Sequence, residues 1–138
     1  MGGPLNDENI ATQLANASTL SPDQLAIVSA EQNLFQPRSF KELYLDVQTC
    51  AAYLKCKRIT KGDHVVLAVK PGYQLILIAF SLFYLGAIPI IIDPGMGLRS
   101  FLRCIKNTKP SKFKRSPDKS FKARCHLNYR KVQNQILK

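Results

Sequence analysis

Pro94-Gly95-Met96-Gly97 sets two glycines just ahead of an apolar-periodic run, an arrangement in which backbone N–H groups can converge on an anion. A phosphate loop would also need Lys-Ser or Lys-Thr after the glycines, and the chain continues Leu98-Arg99-Ser100, so a plain turn is the better reading. His64 is a candidate general base, yet no serine, cysteine or carboxylate is placed by spacing to work with it. Between Asp63 and Val65 it reads as a residue at a strand edge, and His126 has still less to recommend it. Zinc would need clustered ligands. Cys125 and His126 are adjacent but lack a second pair at finger spacing, and Cys50, Cys56 and Cys104 form no C-x-x-C, so free thiols in a reducing compartment are expected. The remaining chemistry is electrostatic: residues 106–138 hold eleven Lys or Arg against Asp118 alone, with Phe113, Phe121 and Tyr129 interleaved. Such a segment can release counterions from phosphates and stack on bases, which makes nonspecific binding of nucleic acid or an anionic membrane one reading. The aromatic spacing fits no reader module; a solvated or disordered tail, or out-of-frame or intron-derived sequence, are the others. No residue is assigned a catalytic, cofactor-binding or metal role.

The charge is unevenly spread, and that divides the chain. Of the net +11, residues 1–105 contribute +1, from nine basic and eight acidic side chains, while residues 106–138 contribute +10. Apolar residues fill 54 of the first 105 positions and nine of the last 33. Two segments are expected, 1–110 able to form a core and 111–138 a basic tail, with the change near Lys109-Pro110. The tail cannot bury enough apolar surface to offset its ordering entropy, so mobility or local helix is expected there, with trypsin cutting first after Lys112, Lys114 or Arg115.

The elements that would carry any site are legible in the first segment. Ile10, Ala11, Leu14 and Ala17 define a short helix that Asn6 or Asp7 could cap and Ser21-Pro22 would end, followed by a short strand over residues 25–29. Ser39-Phe40-Lys41-Glu42 is a capping box, and Phe40, Leu43, Tyr44, Val47, Ala51 and Leu54 draw one apolar stripe after it. Lys55, Lys57 and Arg58 favour that helix's carboxyl end, and Lys61-Gly62-Asp63 turns the chain out. Residues 65–69 then read as a strand covered on both faces, residues 73–85 as a buried helix ended by Gly86, and residues 88–92 as a second buried strand. This is a βαβ unit of a parallel sheet, expected to be right-handed, and Leu98, Phe101, Leu102 and Ile105 mark a further helix. An alternating fold should continue with another buried strand, but Lys109 to Pro117 offers nothing suited to a core. Residues 88–92 are therefore expected to form an exposed apolar edge, a template for pairing with other chains.

The order of these signals resembles the N-terminal portion of the adenylate-forming (AMP-dependent synthetase/ligase) superfamily. Ser39-Phe40-Lys41-Glu42-Leu43 resembles its "T/S-F-x-E-L" helix start, Lys61-Gly62-Asp63-His64-Val65 its "x-G-D-x-V" strand start, and Leu85-Gly86-Ala87-Ile88-Pro89 its "G-A-x-x" helix exit. Asp93-Pro94-Gly95-Met96-Gly97 with Leu102-Arg103-Cys104-Ile105 is similar to the branch of fatty-acid CoA ligases and olefin β-lactone synthetases. The resemblance, over roughly residues 5–110, implies a partial α/β subdomain of an acyl-CoA-synthetase-like fold. It also implies that longer relatives activate a fatty acid with ATP and magnesium and pass the acyl group to CoA or another acceptor.

In that family the phosphates are held by a Ser/Thr/Gly-rich loop ending in Pro-Lys, an aromatic-Gly-x-Thr-Glu segment, a ribose-binding Asp and a C-terminal lysine. None of these occurs in this sequence, so no family site residue transfers to it, and a chain inactive by itself is expected. A small non-enzymatic protein presenting its basic arm to nucleic acid or anionic lipid is the alternative. The first residues lack the basic and hydrophobic regions of a secretory signal, which makes the cytoplasm the expected location. Residues 75–92 just reach membrane-spanning length, but Gly86 and Pro89 punctuate them and a span is not expected.

Overall fold

The computed structural model describes residues 9–31, 34–93, 95–108 and 112–115. Helix α1 (Ile10–Leu20) starts at Asn9, not at Asn6 or Asp7 as the sequence suggests: the Asn9 side chain accepts from the Ala11 N–H at 2.9 Å. Asn9 Nδ2 also donates to the Phe83 carbonyl at 2.9 Å, so the cap doubles as a tie between distant parts of the chain. The strand expected at residues 25–29 extends to Leu25–Glu31 (β1), and sequence reading misses its partner β2 (Leu34–Ser39). The two form an antiparallel pair with a register irregularity between Leu25 and Ile27.

Ser39 ends β2 and begins α2 (Phe40–Cys56). Both halves of the capping box form: Glu42 N–H donates to Ser39 Oγ at 3.3 Å, and Ser39 N–H to Glu42 Oε2 at 2.9 Å. Ser39→Ala should lower stability by about 1 kcal/mol, read from the urea midpoint. An unchanged midpoint would mean that packing alone fixes this start. The buried face of α2 is Leu43, Val47, Cys50, Ala51 and Leu54, so the expected stripe holds and gains the Cys50 thiol.

The predicted βαβ unit is β3 (His64–Ala68), α3 (Tyr73–Tyr84) and β4 (Ile88–Ile91), with β3 and β4 parallel and His64 opposite Ile88. Gly86 ends α3 at φ +71, and a Cβ there would lie 2.9 Å from Lys61 Cγ, so the position calls for glycine on two grounds. Helices α1, α2 and α3 pack on one another, and one core cluster joins Leu14, Val47, Leu54 and Leu82 to Val65 and Leu67 of β3. Val66 and Ala68, which alternate to the other face, are buried too, so β3 is covered on both sides as its unbroken apolar run implies.

Two expectations are corrected at the sheet's margins. The next strand does form: β5 (Lys112–Arg115) pairs parallel with β3, opposite Val65 to Ala68, after helix α4 (Leu98–Thr108). A parallel ladder is made by backbone groups, so a basic segment can enter it. Lys112, Lys114 and Arg115, after which trypsin is expected to cut first, are thus strand residues of β5 rather than mobile chain, and the basic tail after Arg115 lies outside the described residues. Because the order is β4-β3-β5, β5 does not cover β4, which stays at the edge with Ile88 46% and Ile91 57% exposed. It is therefore not the buried strand its composition suggests. Ile88 N–H and Ile92 N–H donate to Asp63 and Leu67 of the β3 side, so by alternation Pro89 and Ile91 face outward. Proline has no N–H to offer there, and the outward edge is a poorer pairing template than a run of isoleucines implies.

Candidate functional site

The carboxyl ends of parallel strands are where open α/β sheets bind ligands, so the loops leaving β3 and β4 are the place to look. Leaving β3, the chain passes Lys70 and Pro71 to Gly72, whose φ of +154 suits glycine, and Tyr73 opens α3. The Tyr73 hydroxyl donates to Asp46 Oδ2 of α2 at 2.5 Å, and Arg38 of β2 lies with its guanidinium carbon 5.4 Å from the Tyr73 ring centroid. One tyrosine thereby ties the hairpin, α2 and the first turn of α3. Burial, the hydrogen bond to Asp46 and the Asp46 charge push the Tyr73 hydroxyl far above its ordinary value of 10, against a smaller opposing effect of Arg38. It keeps its proton throughout the physiological range and cannot act as a base. This cluster positions a loop. Sequence reading misses it because its members are 8 and 27 residues apart and belong to three elements.

Leaving β4, Asp93 folds back on the glycine turn: Gly95 N–H donates to Asp93 Oδ1 at 2.8 Å and Met96 N–H to the Asp93 carbonyl at 3.2 Å. The predicted turn is confirmed at these residues, while Pro94 lies outside the described ones. The Gly95 N–H is already taken, and the carboxylate beside it would repel an approaching phosphate. His64 sits at the opposite end of the sheet, exposed at the amino end of β3. Five residues of extended chain separate its partner Ile88 from Asp93, about 16 Å, so His64 cannot serve this turn. Of the cysteines, Cys50 is buried, Cys104 half-buried and Cys56 exposed, and none of the three forms a disulfide. Cys125, His126, Phe121 and Tyr129 lie outside the described residues, and nothing is described of the Phe113 side chain. No group of three His, Cys, Asp or Glu that could hold a metal occurs among the described residues.

A second buried polar group is structural as well. Ser81 Oγ donates to the Leu77 carbonyl at 2.6 Å and lies 3.2 Å from the Val47 carbonyl, which satisfies a hydroxyl between α2 and α3. Tyr44 and Tyr84 meet edge to face with centroids 6.4 Å apart, and burial followed by the Tyr84 charge raises the Tyr44 hydroxyl.

Comparison with known proteins gives this scaffold its class. The AMP-binding enzyme family matches residues 14–123, a span that includes β5 and passes the boundary suggested by charge. An olefin beta-lactone synthetase of Xanthomonas campestris is 30% identical over 112 residues, covering 76% of this chain and 20% of that protein. A salicyl-AMP ligase / salicyl-S-ArCP synthetase of Mycobacterium tuberculosis is 33% identical over 94 residues, covering 67% of this chain and 17% of that protein. Among solved structures, the N-terminal subdomain of Klebsiella oxytoca NpsA superposes with a TM-score of 0.71 at 17% identity, over 78% of this chain and 26% of that one. The fatty acid AMP ligase of Legionella pneumophila gives 0.68 at 23% identity, over 80% and 20%. The chain belongs to the AMP-binding enzyme family, and its fold is that of part of an N-terminal adenylation subdomain. It spans about a fifth of the length of the olefin beta-lactone synthetases it matches. No described helix is long and apolar enough to cross a membrane.

Proposed function

We propose that this chain is a scaffold portion of a fatty-acid-type acyl-activating ligase and has no adenylation activity by itself. The observation that carries the reading is the match to olefin beta-lactone synthetases across three-quarters of this chain but a fifth of theirs. Within that span the sequence holds neither the phosphate loop nor the other nucleotide-binding segments that the family resemblance calls for. The tie of Arg38, Asp46 and Tyr73 is a framework contact that steadies the loop leaving β3. On this reading ATP, magnesium, CoA and the fatty acid are handled by parts of the family fold that this sequence does not contain. A cytoplasmic location belongs to the same proposal.

Pyrophosphate–ATP exchange by the purified chain tests it. The expected exchange, with medium- and long-chain fatty acids, equals that of a boiled control. Exchange above the control with a fatty acid would overturn the inactivity, and exchange with an aryl acid alone would overturn both parts of the reading.

A further inference from the structure

Helix α4 carries a cationic stripe that the adenylation scaffold does not explain. Arg99, Arg103 and Lys106 are all exposed and follow one another at i, i+4 and i+7. At about 100° per residue they fall within an arc of about 60° on one side of the helix. Leu102 lies next to that arc and is 55% exposed, so an apolar side chain stands in water beside three cations. The wider segment has the same sign: between Asp93 and Asp118 there are seven Lys or Arg and no carboxylate. β5, which falls within it, adds Lys112, Lys114 and Arg115 immediately beyond the helix.

A solvated helix surface normally mixes charges of both signs, because like charges at i, i+4 repel. A stripe of one sign bordered by an exposed aliphatic residue has the composition of a helix that lies in the plane of a membrane interface. Cations gain from an anionic leaflet within a Debye length, and the aliphatic side chain gains by leaving water. Nucleic acid would use the cations, but its phosphates and base faces offer little to a leucine. We infer that the Arg99–Leu102–Arg103–Lys106 face of α4 docks on an anionic lipid surface, with α4 lying along the headgroups rather than crossing the bilayer. The inference stands independently of the acyl-activating reading.

Co-sedimentation of the full chain with vesicles of phosphatidylcholine containing about 30 mol% phosphatidylserine tests this, at low and high salt. Binding is expected to the mixed vesicles, to be absent with phosphatidylcholine alone, and to fall with salt. Neutralising R99Q, R103Q and K106Q together should weaken it on the order of 100-fold, at about fivefold per cation. The pair R99K and R103K should keep it, and Leu102→Gln should weaken it about tenfold at unchanged charge. All four positions are exposed, so far-UV circular dichroism should not change; if the triple variant does lose helix, the charge-conserving pair and Leu102→Gln decide. Neutralising Lys119, Lys122, Arg124, Arg130 and Lys131 instead separates the tail, and this second variant should retain binding. The inference is overturned if the triple variant binds as the native chain does, or if only the tail variant loses binding. It is equally overturned if phosphatidylcholine alone binds as well. Indifference to Leu102→Gln, together with displacement by single-stranded nucleic acid, would give the stripe to a polynucleotide instead.

Discussion

Leu82→Ala should destabilise the chain by about 3–4 kcal/mol, as other well-packed buried leucines do when truncated. Leu82 is fully buried on α3 and belongs to the cluster that joins three helices to β3. Truncation removes both its own transfer free energy and the contacts of the side chains around it. The space left has little freedom to collapse, because Ser81 beside it is bonded to its own helix and faces the Val47 carbonyl. Urea unfolding followed by circular dichroism reads the change, with Leu102→Ala as the control. That residue is 55% exposed and its truncation should move stability by no more than about 0.5 kcal/mol. A loss below about 1 kcal/mol at Leu82 would mean that the interior is loosely packed rather than the interdigitated core of a native domain.

The contrast between Leu82 and Leu102 shows where reading the sequence succeeds. Both lie on apolar runs that read as helices, residues 73–85 by their length and Leu98, Phe101, Leu102 and Ile105 by their periodicity, and that reading locates the helix in each case. What it does not provide is the partner. Residues 73–84 are apolar almost all round, so they are buried whichever way the helix turns, whereas the exposure of Leu102 depends on what lies against α4. The strands follow the same rule. β3 is legible because a run of five apolar residues needs cover on both faces, and it has it. β4 has the same composition and sits at an edge, since the chain carries β5 to the far side of β3 and composition does not encode strand order.

The two strands that sequence reading passes over fail for related reasons. β2 contains Gln36, Pro37 and Arg38, residues that argue against a strand one by one, but its ladder with β1 makes it one edge of a two-stranded sheet, where proline is tolerated. β5 is Lys-Phe-Lys-Arg and reads as solvated chain, yet backbone pairing to β3 sets its conformation. In both, tertiary pairing overrides local preference. The Ser39 cap, by contrast, is entirely local, and all of it is legible, including its Glu42 return bond. The same division governs the candidate site. The glycine turn after β4 is visible as a turn, while the cluster around Tyr73 arises only when β2, α2 and α3 assemble.

That cluster makes the second large effect a matter of pH. The folded chain holds the Tyr73 proton well above 10, whereas the unfolded chain releases it near 10. Above pH 10 the folded state therefore binds more protons than the unfolded state, and stability must fall as pH rises. The contribution is complete below pH 10 and is lost progressively above it. For one fully protected proton the slope would be about 1.4 kcal/mol per pH unit, and the partial exposure of Tyr73 reduces it. Tyr44, raised in the same direction, adds a slope of the same sign that Tyr73→Phe leaves in place. Urea midpoints of the native chain and Tyr73→Phe between pH 7 and 11 separate the two. At pH 7 the variant should be weaker by about 1–2 kcal/mol, because Asp46 loses the hydroxyl that bonds it. Above pH 10 its stability should fall less steeply, so that the two curves converge. Asp46→Asn should also flatten the native slope, since it removes the charge that helps to hold the proton in place. Parallel curves above pH 10 would sink the argument, for they would mean that Tyr73 ionises in the folded chain as it does in water and that the tie between β2, α2 and α3 is not closed in solution.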